Sequence, residues 1–390
     1  MTKDKQIFII LSRVPYPLEK GDKLRAYHQI KELSKENKVA LCCLSDQKVS
    51  KETIEHLEDI TDELHILYLN KWLIYWNVFK MFFHSKPFQV GYFLQRRLKI
   101  KVQQIINAFD PDTIYCQLLR VAEYVKDIHN VPKTIDYMDA FSKGMLRRAE
   151  ISKGFKKYLF NLEGQRLRVY ENKIFDYFDY HIIISEQDKD FIGHSANQNI
   201  KVIENGIDES FFNFKTNVEV KFDVVFVGNL NYAPNISSCL YLINNLYPKL
   251  IKLKQQARVL LAGANPNDKI LAAVRSNSNI EVSGWVEDIR ESYLAGKVFV
   301  APLFIGTGLQ NKLLEAMALG VPCITTTLAN NALGAIPDQD ILIANSEEEF
   351  VESIGRLLND HELYDQIKNN AKNFVLDQFN WRKSTARIPL

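Results

Sequence analysis

Short runs of β-branched and other apolar residues alternate with helical patterns along almost the whole chain of 390 residues. Apolar runs bounded by turn residues predict buried strands, and the stretches between them repeat their apolar residues at helical spacing. Strands that alternate with helices form parallel sheets with helices on both faces. The predicted strands are 7–11, 39–44, 65–69, 113–116, 133–137 and 181–185 in the first half, and 222–228, 257–263, 280–284, 297–302, 322–326 and 341–344 in the second.

The alternation weakens between residues 210 and 221 and then restarts with a new first strand. A chain of this length also exceeds the size at which one hydrophobic core usually divides. We therefore predict an α/β protein with two doubly wound Rossmann-like domains, residues 1–205 and 206–377, that face each other across a cleft. Ligands of open sheets bind beyond the carboxyl ends of the strands, so the loops that follow strands are the candidate sites.

Composition excludes several classes of protein. Apolar residues make up 46% and charged residues 25%, as in globular chains. The net charge of +2 argues against a protein built to bind nucleic acid. Five cysteines without metal-ligand spacing predict buried thiols in a reducing cytoplasm. The N-terminus has too short an apolar core for a signal peptide, and the longest apolar run, residues 72–83, is shorter than the ~20 residues of a membrane span.

The stretch GTGLQNKLLEAMALGVP, residues 306–322, follows the predicted strand at 297–302 and has the strongest functional pattern. Its first glycines leave the start of a helix uncovered, so that backbone N–H groups can approach a phosphate. Lys312 adds a positive charge in the first turn, and Glu315 can accept hydrogen bonds from ribose hydroxyls one turn later. This set fits a nucleoside diphosphate. The alternative is a surface ion pair between Lys312 and Glu315, which would stabilise the helix by roughly a few tenths of a kcal/mol.

GTGLQNKLLEAMALGVPCITT resembles the nucleotide-sugar signature of family-4 retaining glycosyltransferases, which have the GT-B fold. VIENGID at 202–208, FVGNLNYAPN at 226–235 and SGWVEDIRESYLAGKVFVAPL at 283–303 resemble other parts of the same domain. YLFNLEGQRLRVYENKIFDYFDYHIIISEQD at 158–188 resembles a bacterial subgroup associated with exopolysaccharide and exosortase systems. The resemblance implies sugar transfer from a UDP- or GDP-sugar with retention of configuration, and a C-terminal segment, 378–390, that returns to the N-terminal domain.

The resemblance also implies roles for particular residues. Lys312 would bind the donor diphosphate and Glu315 the ribose. Beside these two, we take Asp139 as a third catalytic candidate, which would orient the acceptor hydroxyl. The implied donor-binding residues are Gly21, Gly228, Asn229, Trp285, Val286, Thr307, Gly308, Leu309, Lys312 and Glu315, and the implied acceptor-side residues are Gln117 and Asp139. Each of three residues also has a purely structural interpretation. Trp285 could be a core residue, Gly21 a turn glycine and Asp139 a loop or helix-cap residue.

Three departures from the family pattern bear on the mechanism. Thr307 replaces a second glutamate, the loop 228–235 has no arginine, and Gln117 stands where many members carry histidine. Acid–base catalysis by imidazole is therefore not expected. In retaining members of this class the leaving diphosphate can take the acceptor proton, so that catalysis rests on positioning and charge stabilisation. No DxD pair lies in a suitable loop, so we expect no essential metal and no cofactor besides the nucleotide sugar as co-substrate.

Three other functions are weighed against this one. A nucleotide-sugar epimerase shares the two-domain plan, but it needs acid–base side chains beside the sugar ring, and the missing histidines count against it. A non-catalytic sensor of sugar nucleotides would need only the binding residues. A dinucleotide oxidoreductase is disfavoured because the first strand leads into SRVPYPLEKGDK and not into GxGxxG.

The acceptor is expected in the N-terminal domain. Residues 72–101 and 143–173 combine aromatic with basic residues, which suits a membrane-surface patch and an anionic lipid-linked acceptor. The alternative is an amphipathic core helix followed by solvated charges. The predicted partners are thus a nucleotide-sugar donor and a glycan or lipid-linked acceptor, without nucleic acid. The predicted location is the cytoplasm. A more specific form of this prediction places the protein at the inner face of the cytoplasmic membrane.

Overall fold

The computed structural model describes residues 4–18, 21–150, 152–214, 217–304 and 309–390. The chain divides into two units, of which the first comprises Met1–Asn205 and Trp381–Leu390 and the second comprises Gly206–Asn380. The division between Asn205 and Gly206 falls in the VIENGID stretch. Each unit has its own sheet and its own core.

The first unit is built on a parallel sheet of seven strands in the order β3-β2-β1-β4-β5-β6-β7. Strand β1 alternates its side chains between two cores, with Ile7, Ile9 and Leu11 on one face and Phe8 and Ile10 on the other. Apolar residues on both faces are what a sheet covered by helices on both sides requires. The strands are β1 Gln6–Leu11, β2 Lys38–Ser45, β3 Glu63–Tyr68, β4 Thr113–Gln117, β5 Lys133–Asp136, β6 Tyr180–Ile183 and β7 Lys201–Val202.

Helices connect the strands of this sheet. They are α1 Gly21–Glu36, α2 Lys51–Glu58, α3 Lys71–Met81, α4 Phe88–Phe93, α5 Arg96–Phe109, α6 Ala122–Val125, α7 Phe141–Glu150, α8 Gly154–Phe175 and α9 Glu186–Phe191. The chain runs outward from β1 through β2 to β3 and then crosses to β4 on the other side of β1. The carboxyl ends of β1 and β4 therefore flank the switch point of the sheet, which is where open sheets form their binding crevice.

A buried ion pair not foreseen in the sequence lies inside the first unit. Arg25 Nε donates to Asp136 Oδ2 at 2.6 Å, and both side chains are fully buried. Asp136 also accepts a hydrogen bond from the Tyr115 hydroxyl at 2.7 Å, while Arg25 donates to the Asn205 side chain at 3.0 Å. The network joins the centre of the sheet to the last residue of the unit before the chain enters Gly206.

The second unit is a parallel sheet of six strands in the order β10-β9-β8-β11-β12-β13. Its switch point lies between β8 and β11. The strands are β8 Phe222–Val227, β9 Val259–Ala262, β10 Ile280–Gly284, β11 Gly296–Ala301, β12 Cys323–Thr325 and β13 Leu342–Ile343. The helices are α10 Glu209–Phe212, α11 Ala233–Tyr241, α12 Tyr247–Leu253, α13 Asp268–Val274, α14 Ile289–Leu294, α15 Asn311–Ala318, α16 Thr327–Leu333, α17 Glu347–Asn359 and α18 His361–Gln378, with a π turn at Leu242–Leu246.

The chain returns to the first unit after Asn380. Helix α19, Trp381–Ala386, packs on α1, where the Trp381 ring stacks on His28 with 5.0 Å between ring centroids. Arg387 Nη2 donates to the Val202 carbonyl at 2.7 Å, and Ile388 is buried in the core behind β1. The final ten residues thus contribute packing and hydrogen bonds to the first unit.

The predicted α/β architecture is confirmed. Each of the twelve predicted strands is present, with ends that differ by two residues at most, and the short β7 is an addition. All five cysteines are buried and free, as predicted. In the described ranges we find no helix that combines the length and the apolar character of a membrane span.

One alternative from the sequence is wrong. Residues 72–83 do not form an amphipathic helix with its apolar face in the core. The exposed apolar residues of this stretch are Trp72, Leu73, Tyr75, Trp76, Phe79, Phe82 and Phe83, whereas Ile74 and Met81 are buried. The physical reason is that α3 is apolar around its whole circumference, and the protein covers only one side of it.

Candidate functional site

The candidate site of the second unit lies at its switch point. Strands β8 and β11 are neighbours in the sheet although more than sixty residues separate them in the chain. The loop after β8 contains Gly228 and Asn229, and the chain after β11 leads into α15, whose second residue is Lys312. Parallel strands end at the same edge of a sheet, so the topology brings these two loops together.

Lys312 is a half-buried cation without an acidic partner. Its Nζ donates to the side-chain oxygen of Asn235 and lies 5.3 Å from the centre of the Phe226 ring. No carboxylate lies within ion-pair distance of this nitrogen among the residues that the structure describes. Burial lowers the pKa of Lys312 to about 8, although the nearby charge of Glu315 opposes that change. A partly desolvated cation held only by a neutral amide is suited to bind an anion.

Glu315 is held by a different partner, so the surface ion pair considered from the sequence is wrong. Glu315 Oε2 accepts a hydrogen bond from the Tyr293 hydroxyl at 2.7 Å, and the Tyr293 side chain is fully buried. Burial raises the pKa of Glu315, and the hydrogen bond from Tyr293 together with the charge of Lys312 acts in the opposite direction. The two side chains of α15 are therefore positioned separately, each by a residue from another element.

Asn235 links the two loops of the site. This buried residue lies in the first turn of α11, and its Nδ2 donates to the Asn229 carbonyl at 2.8 Å while its oxygen accepts from Lys312. A side chain at Gly228 would place its Cβ 2.7 Å from Asn235 Nδ2. Similarly, a Cβ at Gly263, where φ is +139°, would lie 1.9 Å from the Gly228 carbonyl oxygen. Glycine at both positions is required for Asn235 to reach Lys312.

Trp285 and Val286 follow β10, at the edge of the same sheet. The Trp285 side chain is 75% exposed, so the interpretation of Trp285 as a core residue is wrong. An exposed indole after a strand end is available to stack on a planar ligand. Leu309 packs partly against the core beside α15. Thr307 and Gly308, the other two residues of the donor-binding prediction, lie outside the described residues.

The remaining predicted residues belong to the first unit. Gly21 is the first residue of α1, is exposed, and has open space where a Cβ would lie. Gln117 ends β4, is buried, and donates to the Asp22 carbonyl at 3.2 Å. Asp139 follows β5, and its carboxylate accepts no hydrogen bond within the described parts of the chain. Partial removal from water and the nearby carboxylates of Asp188 and Asp136 raise the pKa of Asp139 to about 6.

A cavity in the first unit was missed by the sequence interpretation. It has a volume of about 710 Å³ and opens beyond the carboxyl ends of β1 and β2. The cations that line it are Arg13, Lys23, Lys48 and Arg120, and Asp46 is the carboxylate among the described lining residues. These five side chains come from four separate segments, so no local motif could have indicated that they lie together.

Several known proteins resemble this chain in sequence. The family described as Glycosyl transferases group 1 matches residues 221–360, which include the whole of the candidate site in the second unit. A protein in the cps region of Klebsiella pneumoniae is 23% identical, over 98% of both chains. An uncharacterized glycosyltransferase of Methanocaldococcus jannaschii is 26% identical, over 63% of this chain and 67% of its own.

A solved structure extends the likeness to both units. HepE of Anabaena, in complex with UDP, matches over 99% of this chain and 98% of its own, with a TM-score of 0.64 and 15% identity. The fold is GT-B. The family match and the names of the relatives support a glycosyltransferase. In the GT-B frame, the site around Lys312 and Glu315 lies in the unit that carries the group 1 glycosyltransferase match.

Proposed function

We propose that this protein is a retaining glycosyltransferase of family 4, which transfers a sugar from a UDP- or GDP-sugar to a hydroxyl of a glycan or lipid-linked acceptor. The observation that supports this best is the environment of Lys312, a half-buried cation held by neutral Asn235 at the start of α15. Such a cation favours a ligand that brings negative charge. The protein in the cps region that resembles this chain supports a role in cell-envelope polysaccharide synthesis.

The chemistry we propose needs no nucleophile from the protein. The bond between the anomeric carbon and the diphosphate oxygen breaks, and the acceptor oxygen bonds to the same face of that carbon. The acceptor proton passes to the departing phosphate. Lys312 would stabilise the growing negative charge, an effect that is stronger in the transition state than in the ground state. Glu315, oriented by Tyr293, would accept hydrogen bonds from the ribose hydroxyls.

The remaining donor and acceptor assignments are part of the same proposal. Trp285 and Val286 would border the base, and Gly21, Gly228, Asn229, Thr307, Gly308 and Leu309 would line the donor. Asp139 would orient the acceptor hydroxyl, because its carboxylate accepts no hydrogen bond from the described residues. We further propose a cytoplasmic location, which the five buried, unbridged thiols support.

The metal-independent character of the transfer is also a proposal. Among the described residues, no three acidic, histidine or cysteine side chains come close enough to hold a metal ion together. Lys312 and the backbone amides of α15 would meet the phosphate charge instead. Transfer should therefore continue in EDTA. A complete loss on chelation that Mg²⁺ or Mn²⁺ restores would overturn this part of the proposal.

The decisive test of the function is a thermal-shift series with UDP, GDP, ADP and their sugars. A ligand that binds only the folded protein at 100 times its Kd stabilises it by roughly 2.7 kcal/mol. We expect one nucleotide to raise the melting temperature in proportion to the logarithm of its concentration. Slow hydrolysis of the corresponding nucleotide sugar without acceptor should follow, which a non-catalytic sensor would not show. No stabilisation by any member of the series would refute the proposed donor site.

A further inference from the structure

Charge is distributed unevenly along the chain. Residues 64–109 contain seven lysines and arginines and no aspartate or glutamate, whereas the whole chain has 49 basic and 47 acidic residues. This segment includes α3, α4 and α5. Lys86 and Lys99 form ion pairs with Glu123 and Asp127 of other segments. The other five basic residues form no ion pair with any described residue, and such uncompensated charge favours a negatively charged partner.

The same segment carries the three most exposed aromatic residues of the first unit. Trp72 is 84% exposed, Tyr75 71% and Phe83 76%, and Trp76, Phe79 and Phe82 are exposed as well. Their spacing of three and four residues places them along one side of α3 and its C-terminal end. We call Trp72, Tyr75, Trp76, Phe79, Phe82 and Phe83 the aromatic face. An apolar surface of this extent on a water-soluble unit marks an interaction site.

Basic side chains lie beside the aromatic face, at the start of α3 and next to Trp76. The backbone N–H of Asn70 donates to Gln95 Oε1, and Gln95 Nε2 donates back to the Asn70 carbonyl, so the first turns of α3 and α5 are held side by side. Exposed Lys71, Arg96 and Arg97 follow directly in these turns, and Lys80 Nζ lies 5.2 Å from the Trp76 ring centre. Tryptophan and tyrosine with lysine and arginine at their edges are the combination found at anionic membrane interfaces.

The opposite side of α3 borders the basic cavity, since Val78 is one of its lining residues. Arg120 is the best-defined cation there. Its side chain is 16% exposed and donates two hydrogen bonds to the neutral Gln89, and its nearest carboxylate in the described structure, Asp22, is 3.9 Å away and already paired with Arg13 at 2.9 Å. Burial and the charge of Arg13 lower the pKa of Arg120 to about 10. The cavity therefore has positive charge that its own carboxylates do not balance.

We propose that the aromatic face docks the protein on an anionic lipid bilayer, where the basic cavity behind α3 receives the phosphate of a lipid headgroup. The docking follows from the aromatic and basic residues alone. The identification of that lipid as the acceptor rests on the proposed function. The acceptor would then be a lipid-linked phosphate whose hydrocarbon stays in the bilayer, and not a soluble glycan.

Vesicle sedimentation tests the docking. The full chain should bind vesicles with 30% phosphatidylglycerol in phosphatidylcholine, bind at least tenfold more weakly to pure phosphatidylcholine, and dissociate as salt is added. The double variant Trp72→Ser/Trp76→Ser should lose at least tenfold in affinity. The matched control is Val220→Ser/Leu271→Ser in the second unit, where the wild-type side chains are 52% and 44% exposed, and it should bind as wild type. All four substitutions are at exposed positions, so melting curves should remain close to wild type.

Two outcomes would overturn the docking. The first is equal binding of the tryptophan variant and the wild type, or no binding of the wild type to anionic vesicles. The second is a lipid-free dimer, detected by analytical ultracentrifugation, that the tryptophan variant dissociates, because the aromatic face would then bind a second copy of this chain. Quenching of tryptophan fluorescence by brominated lipid in the wild type, and its loss in the variant, would add direct proof of contact.

The cavity has its own test, with dihexanoylphosphatidic acid as the probe and dihexanoylphosphatidylcholine as its neutral counterpart, both below their micelle concentrations. Lys23 and Lys48 form no ion pair with any residue in the described ranges, so Lys23→Gln/Lys48→Gln should leave folding intact. The phosphatidic acid alone should raise the melting temperature, and the double variant should lose that rise while keeping the UDP response. Equal responses to both lipids, or an unchanged response in the variant, would refute the cavity assignment. A missing response of the wild type to every nucleotide of the thermal-shift series would refute the proposed function and leave the vesicle result as an independent finding.

Discussion

Replacement of Lys312 by methionine should stabilise the free protein while it damages donor binding and catalysis. Methionine has a similar length and helix propensity but no charge. The pKa of Lys312 is lowered from 10.5 to about 8, which corresponds to a cost of roughly 3 kcal/mol for keeping the side chain charged in the folded state. Removing the charge removes this cost.

Part of that gain is offset, because the oxygen of buried Asn235 loses its hydrogen-bond donor. An unsatisfied buried acceptor costs about 1–2 kcal/mol. The net effect should be about 1–2 kcal/mol of added stability. For a unit of this size each kcal/mol raises the melting temperature by roughly 2–4 °C. The free variant should therefore melt a few degrees above wild type.

Although the free variant should be more stable, it should bind UDP more weakly and turn over more slowly. A charge-assisted hydrogen bond to phosphate contributes roughly 1.5–3 kcal/mol, so the affinity for UDP should fall by about 10- to 150-fold. A UDP concentration that stabilises the wild type by ~2.7 kcal/mol should then stabilise Lys312→Met by less than ~1.5 kcal/mol. Turnover at saturating donor should fall about 30- to 1000-fold, because the charge matters most as the diphosphate departs.

Melting curves with and without UDP, together with steady-state kinetics, measure all three effects. Lys269→Met, at an exposed position of α13, is the matched control and should leave all three near wild type. Wild-type turnover and an unchanged UDP response in Lys312→Met would refute the assignment of Lys312 to the diphosphate. A strongly destabilised free variant would refute the view that this lysine is an uncompensated charge.

Three further predictions concern Lys312, the packing of Gly228 and the buried pair of Arg25 and Asp136. UDP affinity should fall about twofold between pH 7 and 8 and then by up to roughly tenfold per pH unit as Lys312 loses its proton above its pKa of about 8, since UDP is almost fully ionised over this range. Isothermal titration of Lys312→Met should show no such fall, and a pH-independent wild type would contradict the reasoning. Gly228→Ala should displace Asn235, destabilise the second unit by about 1–3 kcal/mol and weaken UDP binding, whereas Gly21→Ala, with open space around it, should leave the melting temperature unchanged; equal melting of both variants would show that Gly228 is not tightly packed. Asp136→Asn should cost about 3–5 kcal/mol in denaturant unfolding because Arg25 stays buried without its counter-charge, and a loss below ~1 kcal/mol would show that the pair is dispensable.

Most of the fold could be predicted from sequence because its signals are local. A strand such as β8, FDVVFV, is recognised by five apolar residues in six positions, three of them valine, and no distant contact is needed to identify it. The end of α15 could be predicted for the same reason, since Gly320, whose φ is +74°, lies two residues after the helix and Pro322 lies two residues further on. The positions of Lys312 and Glu315 one turn apart were likewise fixed by the helical repeat.

The partners of those two residues were decided by the tertiary structure alone. Asn235 is 77 positions from Lys312, and Tyr293 is 22 positions from Glu315, and both arrive because β8, β11 and α14 are neighbours in space. A spacing of three residues on a helix predicts that two charges can interact. The spacing contains no information about other residues that bind these side chains. Here Asn235 binds Lys312 and Tyr293 binds Glu315.

The contrast is sharpest in α3 and the cavity beside it. The sequence determined that residues 71–81 form an apolar, basic helix, but a helix that is apolar on every side gives no indication of which side the protein covers. Packing against α4 and the core of the first unit buried Ile74 and Met81 and left the aromatic face exposed. The basic cavity was likewise decided by strand order, because loops that follow β1, β2 and β4 meet only where those strands end side by side. Periodicity is a property of neighbouring residues, whereas exposure and the joining of distant charges depend on how the whole chain packs.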